Sequence, residues 1–259
     1  MITFGELRKK SVAWQMEIGA VEKLYALAQM MQGIVARETL FNALTLRAAP
    51  ALANAYFENY PRVEDAEFAR DAALTDDTLR AELEAAFADA ARASGLQFKL
   101  HSFSGTEARA EFTGPLGRRS AAQPLLIARF VPSTPRVAPQ TRALLYPFSD
   151  AYAANARVVV LHEIAAERIV WWAQKPRARD VYDLWFVLTR SEGALDMAQT
   201  RALAQSIAAA KGIVLRAALD DAYAPVLERA WGNALREIRA HPPFAQARAE
   251  IEQALRQML

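Results

Sequence analysis

From Val12 to Met31 the apolar side chains Trp14, Ile18, Val21, Leu24, Tyr25, Leu27 and Ala28 recur at helical spacing and predict one amphipathic helix. A short helix around Ala36 to Ala43 is expected next. The alternation of "LTLRA" (Leu44 to Ala48) then predicts a short strand feeding a helix at "APALANAYF" (Ala49 to Phe57), with Pro50 tolerated in its first turn. Thr75 or Asp76 can cap a longer helix that Gly95 ends, with Leu79, Leu83, Phe87 and Ala90 as its buried stripe. Beyond Gly95 the pattern shifts to strand-like segments, "LQFKLHSF", "EARAEFTG", "QPLLIARFV", "RALLYPF" and "ARVVVL", separated by Gly, Pro and Ser turns. From His162 onward it becomes helical over 162–174, 178–190, 197–211, 215–239 and 243–258, the last two split by "HPPF". Strands first and helices last imply an α/β (α+β) domain with a mixed sheet followed by a helical domain, expected over 1–155 and 156–259.

A chain of 259 residues can bury a sizeable core, and its 31 Lys and Arg against 29 Asp and Glu leave a formal charge of +2, so bulk charge implies no polyanion partner. Arginines cluster at "GRRS" (Gly117 to Ser120) and "KPRAR" (Lys175 to Arg179), which permits local nucleic-acid contact. The absence of cysteine excludes disulfides, thiolate catalysis and Cys-ligated zinc, and His101, His162 and His241 show no metal-ligand spacing. The start, "MITFGELRKKSVAWQ", lacks the apolar run of a signal peptide, and no stretch is long enough to span a bilayer, so a cytoplasmic protein with no membrane partner is expected.

Two stretches carry candidate chemistry. If "EDAEFA" is a strand, its period of two puts Asp65 and Glu67 on one face and Ala66 and Phe68 on the other. Paired carboxylates on a rigid element suit Mg²⁺, a hard cation that takes oxygen ligands and often combines one or two protein carboxylates with substrate phosphates. Taken alone the pattern is weak, because acids at alternate positions are ordinary on exposed strands. The second stretch is "LHEIAAERIVWWAQKPRARDVYDLWFVL", where Asp180 and Asp183 stand one helical turn apart. Its plainer reading is two packed helices with Trp171, Trp172, Tyr182, Trp185 and Phe186 as core and Arg179–Asp183 as a solvated surface pair.

Together and in this order, these stretches resemble the AbiEii/AbiGii nucleotidyltransferase toxin family, a branch of the polymerase-β-like nucleotidyltransferases, over most of the chain. "LTLRAAPALANAYFENYPRVEDAEFA" lies where members carry a strand, Lys-Gly-Gly-Thr-Ala-Leu and then Arg-Phe-Ser-x-Asp-x-Asp-Phe. "LHEIAAERI" and "RARDVYDLWFVL" match the later block, roughly Glu-x-x-Ala-x-Lys followed by Arg-Asp-x-x-Asp-Leu. The resemblance implies a polymerase-β-like domain followed by a helical one. It also implies Mg²⁺-dependent transfer of a nucleoside monophosphate from an NTP to RNA, with tRNA foremost, or to a protein. As a toxin–antitoxin, abortive-infection protein it would have a cognate antitoxin as partner. Carried over by position, Asp65 and Glu67 form the metal pair, and Arg168 takes the phosphate-contacting Lys position. Arg47, Ala48, Ala49 and Val63 fall on the nucleotide-binding turn and its following hydroxyl position, and Asp180 and Asp183 are the acids of the later motif.

Several positions depart from the pattern. Ala48 and Ala49 replace the two glycines, adding Cβ atoms where a phosphate would approach and removing easy access to positive φ. Val63 replaces a serine, Arg168 keeps charge but changes its shape, and the strand "PLLIARFV" has Arg129 or Ala128 where a third metal-binding acid belongs. Three readings follow: an active transferase, a degenerate relative that binds nucleotide, RNA or a protein partner without catalysis, and a purely structural role. In the last, Asp65 caps a turn and Glu67 pairs with Arg62 or Arg70.

Overall fold

The computed structural model describes all residues except 118–124, 192, 237, 239 and 240, so the arginines of "GRRS" lie outside the described residues. The chain divides into two compact units, Met1–Val159 and Val160–Leu259.

The first unit opens with α1 (Phe4–Trp14), α2 (Ile18–Ala36) and α3 (Glu38–Ala43). The single helix expected over 12–31 is therefore two. Gln15 turns left-handed (φ 51°), its N–H closes back on Ser11 and Val12, and the Ser11 hydroxyl donates to the Met16 carbonyl at 2.6 Å. The break reorients Trp14, which meets Phe148 edge-on at 5.7 Å. Apolar periodicity continues across such a break, so the pattern hides it.

Next come β1 (Leu44–Leu46), α4 (Ala48–Ala51) running into a π-helical turn at Leu52–Tyr56, β2 (Asp65–Arg70) and α5 (Asp76–Ser94). The strands β3 (Gln97–Phe103), β4 (Glu107–Thr113), β5 (Leu126–Pro132), β6 (Gln140–Ala143) and β7 (Asn155–Val158) complete the unit. The cap of α5 is Thr75, whose side chain accepts from the Thr78 N–H at 3.2 Å, and Gly95 ends it at φ 74°. Of "RALLYPF" only the start is strand. After backbone bonds from Leu144 to Ala154 and from Leu145 to Asn54, Tyr146 stacks on Tyr152, rings 4.0 Å apart, and donates to Asp150.

Among the described residues the strands form one mixed seven-stranded sheet, ordered β3-β4-β5-β2-β1-β7-β6, with β2–β5 and β1–β7 parallel and the remaining pairs antiparallel. One face is apolar by strict alternation. Ala66 and Phe68 of β2 align with Ala128 and Phe130 of β5, while Ala108, Ala110 and Phe112 continue it on β4, all buried. Against this core α2 and α5 cross closely at Gly33, where a Cβ would lie 2.9 Å from that of Ala90 and nearer still to the Ala86 carbonyl. Only glycine permits that approach.

The second unit is helical: α6 (Leu161–Gln174), α7 (Ala178–Arg190), α8 (Met197–Ala210), α9 (Ala224–Ala234) and α10 (Phe244–Met258). The helix expected over 215–239 shrinks to α9, with Pro225 in its first turn and turns or bends before it, because proline suits a helix start and not its interior. Three buried indoles anchor the unit through their N–H groups: Trp172 to the Ala217 carbonyl (3.2 Å), Trp185 to Glu250 (2.6 Å) and Trp231 to the Pro242 carbonyl (2.9 Å). Among the described residues no helix is long and apolar enough to cross a membrane.

Candidate active site

Strand alternation places Asp65 and Glu67 on the sheet face opposite the core. In the β2–β5 register Glu67 faces Arg129, and in the β4–β5 register Glu107 faces the same arginine, so all four side chains share one face. The Arg129 guanidinium donates through Nη1 to the Asp65 carboxylate, and its Nε lies 3.5 Å from Glu107 Oε2. On the far side Arg47 Nη1 stands 3.6 Å from Glu67 Oε1, and the Arg47 N–H donates to the Glu67 carbonyl at 3.0 Å. Each acid of the pair thus faces a guanidinium. Neither alternative partner foreseen for Glu67 takes that place. Arg62 stacks over Trp14 at 4.9 Å, burial pushing its pKa down, and Arg70 donates to the carbonyls of Leu74 (3.0 Å) and Gly105 (2.8 Å). Nor does Asp65 cap a turn, since it opens β2.

The turn after β1 corrects the expectation for Ala48. Despite its Cβ, Ala48 holds the left-handed conformation at φ 54°, while Ala49 lies in the helical turn of α4. An L-residue held there costs on the order of 1–2 kcal/mol, so its surroundings must impose it. They do: the Val159 N–H pins Leu46 (2.9 Å), the Arg47 N–H pins Glu67, and the Arg47 carbonyl accepts from Ala51 at 3.1 Å. Val63 is buried and lines an apolar cavity with Trp14, Leu24, Leu27 and Phe148, with no hydroxyl to offer a phosphate.

In the second unit, Arg168 is 7% exposed, and Asp180 and Asp183 are 4% and 1% exposed. The Arg168 guanidinium reaches Asp183 through Nε (3.2 Å) and Nη2 (3.1 Å), and Asp180 through Nη1 (3.5 Å). Arg177 closes on Asp180 from the other side at 2.6 Å and 3.2 Å. The solvated Arg179–Asp183 pair expected from the sequence is therefore a peripheral contact, at 3.9 Å, of a buried network. The i, i+3 spacing on α7 aims both acids at α6, and Arg168 ties the two helices together. In "KPRAR", Arg177 and Arg179 are both turned to these acids.

Residues 64–257 match the family model described as nucleotidyl transferase AbiEii toxin, type IV toxin–antitoxin system. The chain belongs to the AbiEii nucleotidyltransferase toxin family. Its fold is that of the MenT4 nucleotidyltransferase toxin of Mycobacterium tuberculosis, matched at a TM-score of 0.60 and 14% identity over 100% of this chain and 99% of that one. A putative nucleotidyltransferase of Helicobacter pylori gives a TM-score of 0.45 at 11% identity, covering 96% of this chain and 95% of that one. A search of curated protein sequences found no match.

Asp65 and Glu67 are the acids that the resemblance in sequence led us to expect at a divalent ion. Among the described residues no group of three or more His, Asp or Glu side chains could hold one. Mg²⁺ demands near-octahedral oxygen ligation at about 2.0–2.1 Å. Here positive charge already lies against the acids, on Arg129 and Arg47, and β5 offers a donor where a further acceptor is needed. The side chains as arranged do not fit the ion. The sequence pointed to Asp65 and Glu67 and left Arg129 or Ala128 at the third position; the structure puts Arg129 beside Asp65, together with Glu107, which the sequence did not single out. Its alternation in "EARAEF" was readable, whereas the pairing of β4 with β5 that brings it to Arg129 was not.

Proposed function

We propose that this AbiEii-family chain acts as a nucleotide-binding protein that does not carry out transfer, the degenerate form of a Mg²⁺-dependent nucleotidyltransferase. The observation that carries this reading is that Asp65 and Glu67 each face an arginine and, among the described residues, belong to no group of three metal-holding side chains. The turn after β1 supports binding: Ala48 holds at φ 54° the left-handed conformation that a glycine ordinarily takes in a phosphate-approaching turn. Arg47 and Arg129 supply fixed positive charge for a polyphosphate. Biological action then comes from occupancy, with RNA or a protein partner such as a cognate antitoxin recognised alongside the nucleotide. Titration calorimetry with each of the four NTPs, in Mg²⁺ and in EDTA, tests this: binding that survives EDTA supports it, and no binding in either condition defeats it.

A second reading keeps the enzyme active, moving a nucleoside monophosphate from an NTP to tRNA, another RNA or a protein. Its support is the same-face placement of Asp65 and Glu67 on a rigid strand together with the retained Ala48 turn. On that reading the expected phosphate contact of Arg168 requires the buried Arg168–Asp180–Asp183 network to open. A positioning role for Arg168, fixing α6 against α7, fits its burial better.

A further inference from the structure

We propose that Arg129 is the resident cation of this site: its guanidinium, held between Asp65 and Glu107 beside the Arg47–Glu67 pair, takes the place of a divalent metal and keeps the ion out. The inference rests on the reading of Asp65 and Glu67 as the family's metal position, but not on whether a nucleotide binds.

Three observations carry it. Arg129 contacts acids from two different strands, Asp65 on β2 and Glu107 on β4, and stands in register with both Glu67 and Glu107. The acids and the arginine all lie on the sheet face away from the core, with the Asp65 and Arg129 side chains 31% and 40% exposed, so an ion from solvent could reach the acids if the guanidinium were absent. Among the described residues no group of three or more His, Asp or Glu side chains is placed to hold a metal ion, so the wild-type acids offer no ready-made site.

The physical chemistry favours the arginine over the ion. A guanidinium presents several N–H donors in a fixed planar fork that matches carboxylate oxygens. It is tethered one strand away and competes at an effective concentration of roughly millimolar or above, whereas Mg²⁺ must shed tightly held water to bind. With Arg129 shortened to alanine, the Asp65 and Glu107 carboxylates lose the guanidinium between them while Glu67 keeps Arg47, and a hard divalent cation would restore the lost charge.

The test is titration of Mn²⁺, read by the electron paramagnetic resonance signal of the free ion, into wild-type chain, Arg129→Ala, and Arg129→Ala combined with Asp65→Asn. Thermal melting of each variant checks folding. The expected result is no binding by the wild type, binding at least tenfold tighter in Arg129→Ala, and loss of that binding in the double variant. A wild type that binds Mn²⁺ as tightly as Arg129→Ala overturns the proposal. So does a folded Arg129→Ala that binds no better than wild type, or a double variant that keeps the ion. Should Arg129→Ala not fold, Arg129→Gln, which keeps the side-chain bulk without the charge, is read by the same criteria. Because no nucleotide is present, failure here is separate from failure of the nucleotide titrations.

Discussion

Arg129 of β5 sets its guanidinium on the Asp65 carboxylate of β2, across the parallel strand pair. Both side chains are partly exposed, 31% for Asp65 and 40% for Arg129, so solvent screens the pair. Exposed ion pairs contribute about 0–1 kcal/mol. Asp65→Ala is therefore expected to change unfolding free energy by less than about 1 kcal/mol in urea denaturation. A loss of several kcal/mol would instead make Asp65 a structural residue.

Ala48 and Ala49 respond in opposite directions. Ala48→Gly relieves a left-handed residue and is expected to be neutral to stabilising, by up to ~1 kcal/mol, the loss of its methyl offsetting part of the gain. Ala49→Gly places glycine in a helical turn and is expected to destabilise by about 1 kcal/mol. Chemical denaturation of the two variants side by side gives the comparison, and equal effects would contradict the strain at position 48.

Arg168→Ala takes from the buried Asp183 the guanidinium that reaches it at 3.1 and 3.2 Å, while Asp180 keeps Arg177. Removing one partner of a buried ion pair costs about 3–5 kcal/mol, and the effect is expected in denaturation of the full chain. A variant as stable as wild type would free Arg168 for a ligand-binding role.

Glu22 gives a pH signature. It is 7% exposed and accepts from the Leu116 N–H at 2.6 Å; burial raises its pKa above the ordinary value of 4.5, with that hydrogen bond opposing in part. The folded state thus holds the proton more tightly than the unfolded chain. The stabilising effect is full below the unfolded pKa and is lost as pH rises through the folded one. Glu22→Gln removes this dependence, so its melting temperature relative to wild type is expected to be higher at pH 7.5 than at pH 4. The same difference at both values would count against it.

Much of this was legible in the residues, for identifiable reasons. The alternation of "EDAEFA" is a local signal, and β2 puts Asp65 and Glu67 together on one face with Ala66 and Phe68 buried on the other. Thr75 and Gly95 bound α5 because caps are local chemistry. What the sequence withheld is non-local. Nothing near Arg129 in the chain says that β5 lies beside β2, or that Glu107 arrives from β4. The burial of Asp183 depends on α7 packing against α6, and the i, i+4 spacing of Arg179 and Asp183 does not show that Arg168 of α6 reaches the acid first. Ala48 misled for the opposite reason. Intrinsic preference disfavours φ 54° for alanine, and three surrounding hydrogen bonds to Leu46, Glu67 and Arg47 override it.

The central claim is that this AbiEii-family scaffold binds at its nucleotidyltransferase position without transferring. Incubation of the purified chain with each α-³²P-labelled NTP, Mg²⁺ or Mn²⁺, and total RNA, with the chain itself as second acceptor, tests it most directly. The account predicts no label above that of Asp65→Ala on RNA or protein with any of the four nucleotides. Metal-dependent labelling that Asp65→Ala abolishes would contradict it.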